Sequence, residues 1–248
     1  MTLPTDPIFY GVATLAIILV GLAKGGFAGL GATAIPLLAL VMDPVRAAAM
    51  LLPILLLQDV VSVWAFRKSY DRQTLLWMVP GSFVGVFLGW LLASSVSSDG
   101  VRAMVGVIAV AFGAYRLAGF QIKASRPLPQ WLAAFWGMVS GFTSHIAHSG
   151  GPPFQIWALT RNFPHTVFIG TSAIFFAIVN WIKVPAYLAL GQFTWDNLQL
   201  TLVLLPLALA STMAGVWLVK RMDPQRFYGI INALMIGVGL LLIGGTLL

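Results

Sequence analysis

Residues 21–36 read GLAKGGFAGLGATAIP. Five glycines and one lysine interrupt an otherwise apolar run. Each glycine costs a helix roughly 1 kcal/mol against alanine, and irregular backbone at membrane depth persists only inside protein or beside a water-filled cavity. The same device returns at 137–152, GMVSGFTSHIAHSGGP, where Gly137, Gly141 and Pro152 answer Gly21, Gly25 and Pro36. Paired breaks at matching places in two halves of a membrane chain point to a solute-binding site between the halves.

Composition supports the membrane setting. The chain has 248 residues, 59% of them hydrophobic and 8% charged, with a mean hydropathy of +0.93. So little charge places it among proteins dominated by transmembrane helices. The alternating ten-residue segments of a membrane β-barrel are absent. Its 14 Lys and Arg outnumber 7 acidic residues, all Asp, for a net charge of +7. In a soluble protein that excess would suggest nucleic acid. Here the tendency of cytoplasmic loops to collect Lys and Arg accounts for it, and no nucleic-acid partner is expected. The absence of cysteine removes disulfides, iron–sulfur clusters and thiol relays. No basic region precedes the first apolar run, so no cleaved signal peptide is expected. No P-loop pattern occurs, which argues against ATP hydrolysis within the chain, and no cofactor is expected.

The apolar segments form two series: 8–23, 32–42, 45–66, 75–93 and 101–120, then 131–142, 152–160, 167–190, 198–219 and 228–247. A linker at 121–128 joins a repeat over 1–120 to one over 129–248. Punctuation agrees between them: Pro44 with Pro164, Asp71 with Asp196, Pro80 with Pro206, Gly89 with Gly215. The 8–42 stretch would measure about 52 Å as helix, too long for one ~30 Å span and too short for two with a turn. Each broken stretch therefore reads as a shortened, re-entrant hairpin. Gly81, Gly85 and Gly89 form a GxxxGxxxG ridge suited to close helix packing.

Two topologies compete. Counting each hairpin as two segments collects Arg67, Lys68, Arg72, Arg116, Lys123, Arg126, Arg161, Lys220, Arg221 and Arg226 on one side. Arg46 and Arg102 fall opposite, and Lys24 and Lys183 lie within the membrane. Counting each hairpin as one broken span separates Lys220 and Arg221 from Arg67 and Lys68. The positive-inside rule selects the first arrangement. The expected fold is an all-α polytopic membrane protein of two inverted repeats, about five segments each, with a Gly-rich broken or re-entrant hairpin in each. Both termini then lie outside, and the breaks dip toward the midplane from opposite sides.

The paired breaks resemble the duplicated glycine motif of the TauE/SafE sulfite exporter family, also called TSUP. The first copy is carried by Gly21, Gly25, Gly29, Gly31, Pro36 and Leu38, the second by Gly137, Gly141, Gly150, Gly151 and Pro152. The resemblance covers nearly the whole chain. Departures are Ala32-Thr33 where further glycines are usual, Lys24 in the first copy, and His145 and His148 in the second. The resemblance implies a multi-pass protein of the plasma membrane, the bacterial cytoplasmic membrane. It also implies transport of sulfur-containing or carboxylate anions such as sulfite, sulfoacetate and organosulfonates.

The candidate substrate-binding residues are Lys24, Gly25, Gly29, Gly31, Thr33, His145, His148, Ser149, Gly150 and Gly151. Lys24 offers a charge to an anion or pairs with Asp59. The glycine breaks offer backbone amides to an oxyanion or permit tight packing. Thr33, Thr143, Ser144 and Ser149 can add hydroxyls. His145 and His148 suit anion binding or proton transfer, or are satisfied histidines at a hairpin tip; no cysteine and few carboxylates join them, so no metal site is expected. Asp59 is the proton-coupling candidate or a fixed partner of Lys24 or Lys183, since an ionisable group in the membrane suggests function by default. The leading reading is a secondary transporter of a small anion, alternating access between the two tips. The alternatives are an anion channel and, further off, an intramembrane enzyme, for which neither His-Glu-x-x-His nor Gly-x-Ser-x-Gly occurs. The partners are the anion and the bilayer; oligomeric state is left open, a homo-oligomer included.

Overall fold

The computed structural model describes residues 6–27, 30–117, 129–219 and 240. Gly29, the 121–128 linker, the basic 220–226 stretch and the last apolar segment apart from residue 240 lie outside them. The described residues form helices α1 (Pro7–Lys24), α2 (Ala34–Leu38), α3 (Pro44–Phe66), α4 (Arg72–Ser95), α5 (Ser98–Leu117), α6 (Trp131–Ala147), α7 (Gly151–Ala158), α8 (His165–Ala189) and α9 (Trp195–Leu218). Short 3-10 turns at Leu30–Thr33 and Leu159–Arg161 complete the two hairpins. The protein is an all-α, multi-pass membrane protein: α1, α3, α4, α8 and α9 are long and apolar enough to cross a bilayer.

Helix starts follow from short polar residues that accept otherwise unpaired amides. Asp6 accepts from Ile8, Asp43 from Val45 and Arg46, Asp71 from Thr74, and Thr194 from Asn197. Pro7 and Pro44 occupy the first helical turn, where a missing N–H costs nothing. Asp59 is the exception among these acids. It lies deep within α3 and is buried.

Residue contacts fix the relative directions of the helices. Gly21 faces Ser211 and Gly25 faces Gly215, so α1 and α9 run parallel. Gly81 faces Ala134 and Gly85 faces Met138, so α4 and α6 also run parallel. Thr201 donates to the Met50 carbonyl and Gln58 to the Ala208 carbonyl, aligning α3 with α9. Asp59 meets Asn180 and Phe66 meets Gly170, which sets α8 antiparallel to α3. With α1 and α3 both parallel to α9, the chain must return between them, and residues 25–43 make that return as a hairpin. The packing pairs α1 with α9, α4 with α6, α3 with α9, and α4 with α8, while α3 and α8 pack on each other. Exchanging α1, α3 and α4 for α6, α8 and α9 reproduces these pairs.

One local expectation needs correction, in the second hairpin. The first break falls where the sequence places it, at the end of α1. The 18 residues of α1 cover about 27 Å, which brings Gly26 beside Ile169 and Val219 near the far ends of α8 and α9. The apolar run is itself as long as a span, and apart from Gly11 its glycines come at its end. In the second hairpin, the break begins later than its composition suggests. Helix α6 continues through Thr143 to Ala147, with the Thr143 hydroxyl turned back on the Val139 and Ser140 carbonyls of its own helix. It ends at His148, whose φ of 48° is left-handed, a conformation usually left to glycine or asparagine.

Candidate functional site

The two hairpin tips meet. Ser149 donates to the Ala32 carbonyl at 3.2 Å, joining the second break to the first. Beside this contact lies a cavity of about 820 Å³, its solvent-open mouth included. Lys24 and Gly31 line it from the first hairpin, Ser144, His148 and Gly151 from the second, and Leu51, Ser172, Phe176 and Asn180 from α3 and α8. It reaches along α8 to Ile169, toward the end of the molecule that carries the Arg67–Arg72 loop. At the opposite end α2 packs directly on the first half of α3, and Ala47, Met50 and Ile54 are fully buried.

A polar cluster backs the cavity. Lys24 is the last residue of α1, where a cation complements the helix dipole. It forms an ion pair with Asp59, and its ammonium lies 5.9 Å from the centre of the Phe176 ring, within cation–π reach. The Lys24 carbonyl, left over at the helix end, accepts from Ser62 at 2.8 Å. Asn180 donates to the second Asp59 oxygen at 2.6 Å, so both carboxylate oxygens are taken by other helices. Behind the wall, Lys183 contacts Ser144 and His148 and is completely buried. Among the described residues no carboxylate lies within ion-pair distance of Lys183. Lys24 and Asp59 cancel in charge, whereas Lys183 has no such partner among the described residues.

The expected site residues divide. Lys24, Gly31, His148 and Gly151 line the cavity, and Asp59 stands directly behind Lys24. Thr33 is buried and donates to the Leu30 carbonyl within its own tip. Ser149 and Gly150 are buried at the junction of the tips, Gly150 against Ser140 and Phe176. Gly25 packs on Gly215. His145 does not line the cavity: its ring is edge-on to Tyr187 at 5.3 Å and its side chain lies against Gly89. Among the described residues no cluster of three or more potential metal ligands forms. The anion-binding capacity of the α7 N-terminus is small: Pro152 and Pro153 carry no N–H, and the Phe154 amide is bonded to the Gly150 carbonyl. Polar contacts at this tip therefore fall to side chains. Ser144, expected as a candidate hydroxyl donor, does line the cavity, whereas Lys183, expected within the membrane as a possible partner of Asp59, meets Ser144 and His148 instead.

A family model described as sulfite exporter TauE/SafE matches residues 13–242. The chain belongs to the sulfite exporter TauE/SafE family. Comparison with curated proteins and with solved structures returned no match. In this TauE/SafE transporter the motif glycines serve two ends. Gly21, Gly25, Gly137 and Gly141 bring helix backbones together, whereas Gly31 and Gly151 border the cavity.

Proposed function

We propose that this chain is a secondary carrier of small anions, sulfur oxyanions and organosulfonates foremost, which binds them between the two hairpin tips. The observation that carries the reading is the set of basic groups at the cavity: Lys24 on its wall, paired with Asp59, and the Lys183 amine behind the wall against His148, with no carboxylate within ion-pair distance of Lys183 among the described residues. Ser144, His148 and Asn180 supply polar groups at the wall, and Phe154 and Phe176 supply an apolar face for an organic body.

We read the two halves as an inverted duplication, supported by the helix directions and by the exchange of packing pairs. Alternating access follows from that symmetry. The cavity extends to Ile169, toward the end bearing Arg67, Lys68 and Arg72, which the positive-inside rule assigns to the cytoplasm. The packing of α2 on α3 closes the other end. That closure favours a carrier over an open channel. With an inside-negative potential, export of an anion is favoured by ~2.3 kcal/mol per charge at 100 mV. The test is uptake of radiolabelled sulfite and sulfoacetate into liposomes holding the purified protein. Saturable uptake that is accelerated by unlabelled anion on the far side is the expected result. Flux that rises linearly with concentration and ignores the far side would replace the carrier with a channel.

A further inference from the structure

We infer that Lys183 is the counter-charge of the transported anion and carries a proton with it, acting through Ser144 and His148 rather than by touching the substrate. This rests on the anion-carrier reading and deepens it.

Lys183 lies three residues beyond Asn180 on α8, so the two share a face. Its Nζ sits 3.3 Å from the Ser144 carbonyl oxygen, 3.2 Å from Ser144 Oγ and 2.7 Å from His148 Nδ1. His148 Nε2 lies 3.0 Å from the Ala48 carbonyl oxygen, which can only accept. Nε2 therefore carries the hydrogen, and Nδ1 presents its lone pair to Lys183. This set of partners suits two protonation states. An ammonium donates to all three. A neutral amine donates to the carbonyl and to Nδ1 and accepts the Ser144 hydroxyl hydrogen. A proton can thus join or leave Lys183 while only a hydroxyl turns. Asp59 has no such freedom, because Lys24 and Asn180 hold its two oxygens.

The groups that Lys183 faces are Lys24 on α1, Asp59 on α3, His145 and His148 on α6, and Tyr187 on its own helix. Lys24 and Asp59 cancel as a pair, so an ammonium at position 183 stands unbalanced. A buried charge without a partner is costly. An anion held against Ser144 and His148 balances it across one side chain. Anion and proton then enter together and leave together, and the empty carrier returns without that charge.

The experiment uses the purified full chain in liposomes, with sulfoacetate as probe. Its carboxyl is ionised between pH 6 and 9, as a carboxyl with a pKa near 4 must be, so any accompanying proton belongs to the protein. An internal pH dye and radiolabel record proton and anion together. Sulfoacetate uptake by the wild type should acidify the interior, and its rate should rise about tenfold as external pH falls from 9 to 6. Lys183→Gln should lose the proton and the pH dependence and raise KM. Lys183→Arg, which keeps its charge and cannot return empty without it, should exchange labelled for unlabelled anion without proton movement on a flat pH profile and lose net uptake. Wild-type flux without proton movement, or a folded Lys183 variant with the wild-type pH profile, overturns the inference and leaves the carrier intact. Absence of saturable sulfoacetate or sulfite flux through folded wild type removes the carrier reading and the inference with it. If neither variant folds, the proton movement of the wild type decides.

Discussion

Asp59 is a buried carboxylate shared by three helices: its own α3, α1 through Lys24, and α8 through Asn180. Removing one member of a buried ion pair leaves the other uncompensated, at about 3–5 kcal/mol, whereas removing both is often far milder. Lys24→Ala and Asp59→Asn should therefore each lower the melting temperature in detergent more than the Lys24→Ala/Asp59→Ala double variant does. A double variant less stable than either single would show that the two do not act as a pair. The histidines separate in the same way. His148 borders the cavity and orients Lys183, while His145 is packed against Tyr187 and Gly89. His148→Ala should reduce sulfoacetate kcat/KM by at least about tenfold, ~1.4 kcal/mol, with near-normal expression. His145→Gln should leave KM within about twofold. Equal losses of kcat/KM in the two would mean that the cavity wall extends to His145. The His-x-x-His spacing was plain in the sequence; its division into a wall residue and a packing residue was not. It depends on the helix ending between them, at the left-handed His148.

Two seams join the elements, α1 with α9 and α4 with α6. In lipid, helices gain little from burying apolar surface against one another, so close backbone approach through small residues carries the association. A methyl group at Gly85 would come within 1.9 Å of the Met138 carbonyl oxygen, and one at Gly25 within 2.4 Å of Gly215 Cα. Both faces are backbone and cannot yield as a flexible side chain would. Gly85→Ala and Gly25→Ala should cost at least the roughly 1–3 kcal/mol typical of overpacking, read as lost monodisperse protein on size-exclusion chromatography. Gly11→Ala meets nothing within 4 Å and should be neutral or slightly stabilising. If Gly85→Ala matched Gly11→Ala in yield and melting temperature, the seam would not be rigid. The GxxxGxxxG ridge predicted close packing but named no partner. Glycine spacing marks a groove on one helix, and only the assembled bundle determines which helix fills it. Each seam joins a hairpin arm of one half to the fourth long segment of the other half, so the halves interlock.

At the scale of the molecule the inverted duplication has a direct test, since the chain has no natural cysteine. The first hairpin ends beside Met42 and the second beside Asn162. Single cysteines at Met42 and Asn162, probed with an impermeant maleimide, should react on intact cells at position 42 and only after permeabilisation at position 162. Labelling of both from one side would sink the inversion and restore parallel halves. Composition alone determined the membrane setting, because 8% charge over 248 residues leaves nothing for a water-facing surface of ordinary area. Local sequence also determined the helix starts at Asp43 and Asp71, the ridge of α4 and the two broken hairpins, since caps and glycine act within a turn or two of themselves. The tertiary structure alone decided the contact of Ser149 with Ala32 and the grouping of Lys24, Asp59 and Asn180 apart from Lys183, Ser144 and His148. Those groups draw on residues more than thirty apart in the chain. Their charges find or lack a partner only once α1, α3, α6 and α8 have packed.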